Sequence, residues 1–282
     1  MNKEIKEKIY KILTVILWII FIISVGYILI YYLAETFDEM SMQELNNEKN
    51  IENILLDNSF ENIVNNYNLN ENVEIENISD KNVLEMEKEI LVIKNLKEKY
   101  SNLVGWIKIL GTNIDYPIMQ ADNNDYYLKK NYKGEYNMNG SIFLDYRVEY
   151  GNSNYNQLIY GHNNQNDKMF ENLLDYEKEE FYKENPCIEI TTDKEKNIYE
   201  IFAVFKSKVY EKNENVSFKY YNVIDLSTEK LFNEYINNCK NKSIYDINIL
   251  PKFGDCIVTL STCEYSNEDG RFVVVARLKN KN

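Results

Sequence analysis

The sequence has little of what marks several large protein classes. It contains 9 glycines and 3 prolines in 282 residues, too few for a collagen-like chain or a proline-rich low-complexity chain. Lysine and arginine together number 32 against 45 aspartates and glutamates, a formal net charge of -13. Because affinity for a phosphate backbone comes from clustered basic side chains, this balance argues against nucleic-acid binding. Aromatic residues make up 13% of the chain, more than a disordered acidic chain carries, so most of it is expected to fold.

Cysteine and histidine are also scarce. The four cysteines, Cys187, Cys239, Cys256 and Cys263, are too few and too scattered for a disulfide framework, and no two have CxxC spacing. Cys256 and Cys263 lie in one apparent strand, roughly 23 Å apart, so these two cannot form a disulfide. With His162 as the single histidine, the chain offers no zinc ligand set, and we expect neither a metal nor a cofactor.

Charge is absent from one long stretch near the N-terminus. Residues 12–34 (ILTVILWIIFIISVGYILIYYLA) contain no charged side chain, and a helix of this length spans roughly 34 Å, enough to cross a bilayer. A cleaved signal peptide normally has a shorter apolar region and a small-residue cleavage site, so we favour an uncleaved anchor over that alternative. Lysines dominate before the stretch and acidic residues follow it, which places the N-terminus in the cytoplasm and the rest outside.

The apolar stretch and the cytoplasmic tail before it make up residues 1–34. After residue 34 the composition of the chain changes twice. Residues 35–81 are rich in Asn and Glu with weak helical periodicity, which predicts a polar stalk; the alternative is that they begin the globular domain. In residues 82–104, apolar side chains recur at three- and four-residue intervals, as in an amphipathic helix, and Gly105 ends it. We find no internal repeat or long linker in residues 82–282 and predict one globular domain there.

After Gly105, short β-rich runs alternate with turn residues. The runs are WIKI, IDYPIM, SIFLDYR, QLIYGH, CIEITT, NIYEIFAVFKSKVY, CIVTLSTC and RFVVVARL. Closely spaced short strands indicate a β-barrel or a β-sandwich. One helix, residues 226–242 with Ser227 as its N-cap, is predicted to interrupt the series. Its buried stripe is predicted to contain Leu231, Tyr235, Ile236 and Cys239.

Three polar side chains stand where predicted strands end. His162 follows the run QLIY and Gly161, which lets the backbone turn. Cys263 closes CIVTLSTC, and Arg271 opens RFVVVARL after a short polar turn. Because two successive strands joined by a short turn form a hairpin, we expect Cys263 and Arg271 to be neighbours. Glu264, the first residue of the turn, is interpreted as an exposed carboxylate.

These groups match the needs of a thiol nucleophile. A guanidinium beside an exposed strand end favours the thiolate of Cys263, whereas Cys256, at the start of the same strand, is expected to be structural. Attack on an acyl carbon also needs a proton-transfer group and a group that stabilises the oxyanion, roles that His162 and Arg271 can fill. A lone His is more often just a polar residue in a loop, so the residues by themselves leave open a non-catalytic surface module whose Cys and His are only packed.

The same residues resemble the motifs of the sortase superfamily. TLSTC at a strand end, Arg271 at the start of the next strand and LIYGH upstream are similar to its motifs. The stretch LVGWIKILGTNIDYPIMQADNNDYYL, followed by GSIFLDYR, resembles class B sortases in particular. The resemblance covers residues 82–282. It implies a mostly β fold: a closed barrel of about eight strands, with an N-terminal helix and a helix inserted before the nucleophile strand.

The resemblance also implies an activity. Cys263 would attack the Thr carbonyl of a sorting pentapeptide on a surface protein and form a thioester. His162 would protonate the leaving amine and later deprotonate the acceptor amine of a peptidoglycan precursor or a pilin, while Arg271 would hold the oxyanion. Thr262 is a weaker candidate for orienting the substrate through its hydroxyl; the alternative is an ordinary strand Thr. The chain is thus expected to be a membrane-anchored cysteine transpeptidase that faces the cell wall.

Two other interpretations remain. A cysteine peptidase would use the same groups and resolve the thioester with water, whereas a non-catalytic surface or pilus-assembly module would carry them only as packed residues. No motif includes a carboxylate that would orient the imidazole. We therefore expect the uncharged Cys–His pair to dominate at pH 7, which predicts slow turnover.

Overall fold

The computed structural model describes residues 3–68, 78–164, 167–211, 214, 216–263 and 269–279. The chain divides into two compact units, residues 1–45 and residues 46–282. Helix α1 (Lys3–Asn68) begins in the first unit. Its large apolar side chains in residues 12–33 are exposed. By length and composition this helix can cross a membrane, a property that it shares with signal sequences near an N-terminus.

The second unit begins inside helix α1 and includes helix α2 (Ile78–Lys99). Glu52 of α1 accepts a hydrogen bond of 2.9 Å from Asn95 of α2. Lys49 forms an ion pair of 3.2 Å with Asp115 of the barrel described next. Such contacts are expected if residues 35–81 begin the globular domain, which is the alternative interpretation of this segment. The polar stalk stays a prediction.

Eight strands in the described residues close into a barrel. They are β1 (Leu103–Lys108), β2 (Asp115–Met119), β3 (Ile142–Leu144), β4 (Asn156–Tyr160), β5 (Cys187–Thr191), β6 (Lys196–Lys208), β7 (Ile257–Cys263) and β8 (Gly270–Leu278). Their order around the barrel is β1-β2-β3-β4-β7-β8-β6-β5. The pairs β2–β3 and β4–β7 are parallel, and the other neighbours are antiparallel. The predicted closed barrel is thus confirmed.

Short helical segments after β4 were not predicted. A 3₁₀ helix (Glu171–Glu177) and helix α3 (Glu179–Glu184) lie between β4 and β5, whereas we expected a single helical insertion in the whole series. Neither segment is long enough to show a clear period of 3.6 residues, the signal from which helices are predicted. The 3₁₀ helix nevertheless buries Leu173 and Tyr176, which pack in the same cluster as the inward side chains of the barrel.

Helix α4 (Glu229–Lys242) precedes β7, where the inserted helix was predicted. The prediction of Ser227 as N-cap is wrong by one residue: the Thr228 hydroxyl oxygen accepts the hydrogen bond from the backbone N–H of Leu231, at 3.3 Å. Both residues carry the hydroxyl that an N-cap needs, so the sequence could not separate them. The buried face contains Phe232, Tyr235, Ile236 and Cys239, so Phe232 takes the buried place predicted for Leu231.

The strands have two buried faces. Val258 and Leu260 of β7 point into the barrel, while Ile257 packs in the outer cluster that contains Phe232 and Tyr235 of α4. This alternation follows from the two-residue period of a strand. Burial on both faces fixes the register of β7, because a slip of one residue would exchange its inward and outward side chains. The register in turn decides where the last residues of β7 lie.

Candidate active site

A cleft of about 460 Å³ opens at the ends of β4, β7 and β8. Its lining includes all four residues that the sequence predicts for the site: His162, Thr262, Cys263 and Arg271. The barrel therefore brings together side chains that lie as far apart in sequence as residues 162 and 271. Three of them come from strand ends, where the sheet presents side chains to solvent on a rigid support.

The β7–β8 hairpin places the thiol beside the guanidinium. The antiparallel register pairs Cys263 with Arg271, which confirms that the two are neighbours. Directly paired residues point to the same face of a sheet, with Cα atoms about 4.5–5.5 Å apart. Arg271 donates from Nη1 to the carbonyl oxygen of Gly270 at 2.8 Å. This bond holds the guanidinium of Arg271 at the start of β8, close to the half-buried Cys263.

The parallel pairing of β4 with β7 brings His162 to the same edge. Tyr160 pairs with Ser261, so His162 and Cys263 each lie two residues beyond one register point. Between Tyr160 and His162, Gly161 is required by a close approach, because a Cβ there would lie 2.6 Å from Cγ of Phe170. The local sequence thus lets the chain turn past Phe170 and direct His162 to the cleft.

The imidazole has one fixed hydrogen bond. His162 Nε2 lies 2.8 Å from the carbonyl oxygen of Leu128. Because a carbonyl can only accept, Nε2 carries the proton, and Nδ1 is the nitrogen that can accept one. Burial lowers the pKa of His162 below its ordinary value of 6.5; the bond to Leu128 opposes this, and the charges of Lys129 and Arg271 add to it. The neutral imidazole therefore predominates at pH 7.

Other thiols in the described residues have a different environment. Cys256, just before β7, is only 6% exposed, and burial raises its pKa to about 11. Cys239 of α4 is fully buried, and burial raises its pKa as well. Cys187 is half-buried, with its pKa also raised by burial. Raised pKa values keep these three thiols protonated, as expected of structural cysteines.

Comparison with known proteins assigns the family. The family model described as the sortase domain matches residues 107–279, which contain the whole cleft. Sortase B of Staphylococcus aureus is 34% identical over 189 residues, 66% of this chain and 73% of that protein. Sortase B of Listeria monocytogenes is 36% identical over 191 residues, 67% of this chain and 74% of that protein. The chain belongs to the sortase family.

Solved sortases share the fold. The X-ray structure of Clostridium perfringens sortase B has a TM-score of 0.59 at 31% identity, covering 66% of this chain and 99% of that one. The Staphylococcus aureus sortase B–substrate complex has a TM-score of 0.60 at 29% identity, covering 72% of this chain and 99% of that one. This sortase is therefore of class B, a cysteine transpeptidase of cell-wall anchoring. That class decides against the peptidase and the non-catalytic module.

Thr262 of this sortase lies differently from the other three residues. It precedes Cys263 and therefore points to the opposite face of β7. Its β8 partner, Phe272, belongs to the barrel core, and Thr262 is only 2% exposed. Among the described residues, its hydroxyl oxygen has no hydrogen-bond partner. The hydroxyl is thus directed toward the core, and its role in orienting the substrate stays a prediction.

Asn163 is a residue that the sequence did not single out. Its side chain is 2% exposed, and Nδ2 donates to the backbone carbonyl of Cys263 at 3.0 Å. The residue after the histidine is thereby bonded to the residue that bears the thiol. A signal was present, since Asn163 directly follows the YGH motif, but a polar residue in a predicted loop gives no indication of its partner.

Five further residues of the lining, which we call the far side of the cleft, were also missed. They are Asn124, Leu128, Tyr160, Tyr220 and Tyr221, which come from separate segments of the chain. Two of them lie in quoted motifs, Asn124 in ADNNDYYL and Tyr160 in LIYGH, yet neither motif gives the residue a role.

Two further expectations concern residues around this cleft. Glu264 lies outside the described residues. Within the described ranges, no group of three or more His, Cys, Asp or Glu side chains is arranged to hold a metal ion.

Proposed function

We propose that this sortase cleaves a sorting signal after Thr through a Cys263 thioester and transfers the protein to a cell-wall or pilin amine. The observation that carries the proposal is the shared register: Cys263 pairs with Arg271 on one side and stands level with His162 on the other. A nucleophile, a charge for the oxyanion and a proton-transfer group thus meet in one cleft.

The first half of the reaction forms the thioester. The Cys263 thiolate attacks the Thr carbonyl carbon, and the positive charge of Arg271 stabilises the oxyanion. Collapse of the intermediate breaks the C–N bond of the peptide while the C–S bond remains. His162, as imidazolium, gives its proton to the departing amine and becomes neutral.

The second half transfers the acyl group. Neutral His162 takes a proton from the acceptor amine, whose nitrogen attacks the thioester carbon. The C–S bond breaks, the new amide forms, and Cys263 regains its thiolate. The acceptor is an amine of a peptidoglycan precursor or a pilin. Because burial lowers the pKa of His162, the imidazolium that the first half requires is a minority form at neutral pH.

The proposed location places the catalytic unit outside the cell. Helix α1 would serve as an uncleaved single-pass anchor with its N-terminus in the cytoplasm. The lysine-rich residues before the apolar stretch and the acidic residues after it support this orientation. Substrates would then be surface proteins exported across the same membrane.

The proposal is tested with the full chain in detergent and a panel of Leu-Pro-x-Thr-Gly and Asn-Pro-x-Thr-Asn peptides. We expect intact-mass spectrometry to detect an acyl adduct on Cys263 and, after addition of an amine, a ligated peptide. Cys256→Ser is the matched control and should keep both products. Hydrolysed peptide alone in the presence of saturating amine would contradict transpeptidation, and an adduct on another cysteine would contradict the assigned nucleophile.

A further inference from the structure

One carboxylate near the cleft is completely buried. Asp145, directly after β3, is 0% exposed. Arg147 donates to it as a fork, from Nε to Oδ1 at 2.8 Å and from Nη2 to Oδ2 at 2.6 Å. Burial alone would raise the pKa of Asp145, but the hydrogen bonds from Arg147 and Asn124 outweigh it and hold the pKa below the ordinary value. The group is therefore a permanent ion pair with defined geometry.

The carboxylate also binds two residues of the cleft. Oδ2 of Asp145 accepts from Asn124 Nδ2 at 2.9 Å and from the Tyr160 hydroxyl at 3.3 Å. Asn124 is fixed a second time, because its Oδ1 accepts from the backbone N–H of Tyr146 at 3.0 Å. Both Asn124 and Tyr160 line the cleft. One buried oxygen thus holds the loop after β2 against the end of β4.

The guanidinium reaches a third segment. Arg147 Nη2 donates to the backbone carbonyl of Tyr221 at 3.0 Å. Tyr221 lies in the 3₁₀ helix Tyr220–Asn222 before α4, and its side chain also lines the cleft. Asp145 and Arg147 themselves are absent from the lining formed by the described residues. The pair therefore acts on the cleft through the residues it holds.

We propose that the Asp145–Arg147 ion pair positions Asn124, Tyr160 and Tyr221 as one side of the cleft and thereby sets the affinity for the sorting peptide. The inference rests on the proposed function, since it takes this cleft as the peptide site. Asp145 and Arg147 are positioning residues that act on side chains, whereas the pairing of β4, β7 and β8 sets the backbone positions of the reacting groups and of Tyr160. Loosening the pair should weaken peptide binding and leave the reactivity of Cys263 intact.

The test uses Arg147→Lys. A lysine keeps the positive charge that Asp145 needs, so the fold is retained, but its single ammonium cannot form the fork and also reach Tyr221. We expect KM for the sorting peptide to rise about tenfold, while kcat stays within about twofold. The rate at which iodoacetamide alkylates Cys263 should equal that of the wild type, because this small reagent does not need the positioned side of the cleft.

Arg277→Lys is the matched control. Arg277 also forms ion pairs, with Glu200 at 3.1 Å and Asp255 at 3.3 Å, and its side chain is somewhat less exposed than that of Arg147. Its β7 partner is Ile257, at the opposite end of that strand from Cys263. Its replacement should lower the unfolding temperature to a similar extent without changing KM.

The outcomes separate the two proposals. A folded Arg147→Lys with unchanged KM would overturn the positioning role while leaving the proposed function in place. So would a fall in kcat and in alkylation rate at unchanged KM, which would show an effect on Cys263 instead. Should Arg147→Lys fail to fold, the double variant Asp145→Ala/Arg147→Ala, which leaves no unpaired charge, gives the same readouts. A wild type that forms no adduct with any peptide would overturn the proposed function itself.

Discussion

The two sides of the cleft are held by different forces. On one side, the positions of Cys263 and Arg271 follow from the backbone ladder between β7 and β8. On the other side, Asn124 and Tyr221 come from loops that no common strand connects, and the side chains of Asp145 and Arg147 hold them. The first side is part of the barrel; the second consists of loop residues that the Asp145–Arg147 pair holds together with hydrogen bonds from backbone N–H groups.

This difference separates chemistry from recognition. A backbone ladder distributes its stability over many hydrogen bonds, so replacing one side chain there changes the chemistry and leaves the geometry in place. An ion pair concentrates its effect, because removing Arg147 leaves the buried carboxylate of Asp145 without its opposite charge. Substitutions on the hairpin side should therefore act on kcat, and those on the far side on KM.

The largest expected effect on the hairpin side is that of Cys263→Ala. Without the sulfur no thioester can form, so we expect turnover of the sorting peptide to be abolished. Cys256→Ser changes a buried thiol just before the same strand and should lower stability by about 1–3 kcal/mol while turnover continues. Product formation is followed by chromatography, and unfolding by circular dichroism. Equal loss of turnover in both variants would show that the nucleophile is wrongly assigned.

A smaller effect is expected for Arg271→Ala. Loss of a group that stabilises an oxyanion costs about 3 kcal/mol, which corresponds to a decrease of about two orders of magnitude in kcat/KM. Because Arg271 belongs to the hairpin side, most of this loss should appear in kcat. Steady-state kinetics with the sorting peptide measure the split. If KM rises instead while kcat is kept, Arg271 belongs with the far side, and the separation drawn above is wrong.

The hairpin side is also the part that the sequence could predict. CIVTLSTC and RFVVVARL are adjacent in sequence, so their pairing is local and places Cys263 opposite Arg271 without any knowledge of the rest. The place of the inserted helix was likewise visible, because its apolar residues have a helical period. Barrel and sandwich could not be told apart in this way, since closure depends on the pairing of β1 with β5, far apart in the chain.

The far side could not be predicted, for a physical reason. Asp145 and Arg147 lie in the run SIFLDYR and look like the polar end of a strand. Their partners are Asn124 and Tyr221, and the second of these lies 74 residues from Arg147. Which polar groups meet at such a distance is decided by how the loops pack on the finished barrel. No local period or motif encodes it.

Asn163→Ala tests the bond between the histidine loop and the nucleophile strand. The Asn163 amide donates to the carbonyl of Cys263, so its loss should loosen the distance between imidazole and sulfur. A neutral hydrogen bond contributes about 1 kcal/mol, and we expect kcat to fall by about fivefold to tenfold with KM unchanged. Asn164→Ala is the control, because Asn164 bonds to Asn139 and not to the strand. An equal loss of kcat in both variants would assign the effect to the loop in general.

The smallest expected effect is a shift of the pH profile of kcat/KM. Burial lowers the pKa of His162, and the charges of Lys129 and Arg271 lower it further. The site loses its neutral proton acceptor as the pH falls through the pKa of His162, so the acid limb of kcat/KM should lie below pH 6.5. Lys129→Ala and Arg271→Ala should each move the limb toward higher pH. A limb at or above pH 6.5 in the wild type would contradict this account of the site.

The same lowered pKa sets the sign of a stability change. Below pH 6.5 the unfolded chain binds a proton at His162 more readily than the folded chain, so stability falls as the pH decreases through this range. His162→Ala removes that contribution, and its unfolding temperature should fall less than that of the wild type between pH 7 and pH 5. An equal fall would show that His162 is as accessible to protons in the folded chain as in the unfolded one. The imidazole of His162 would then be solvated in the folded chain. That result would contradict the partly desolvated cleft in which burial lowers the pKa of His162.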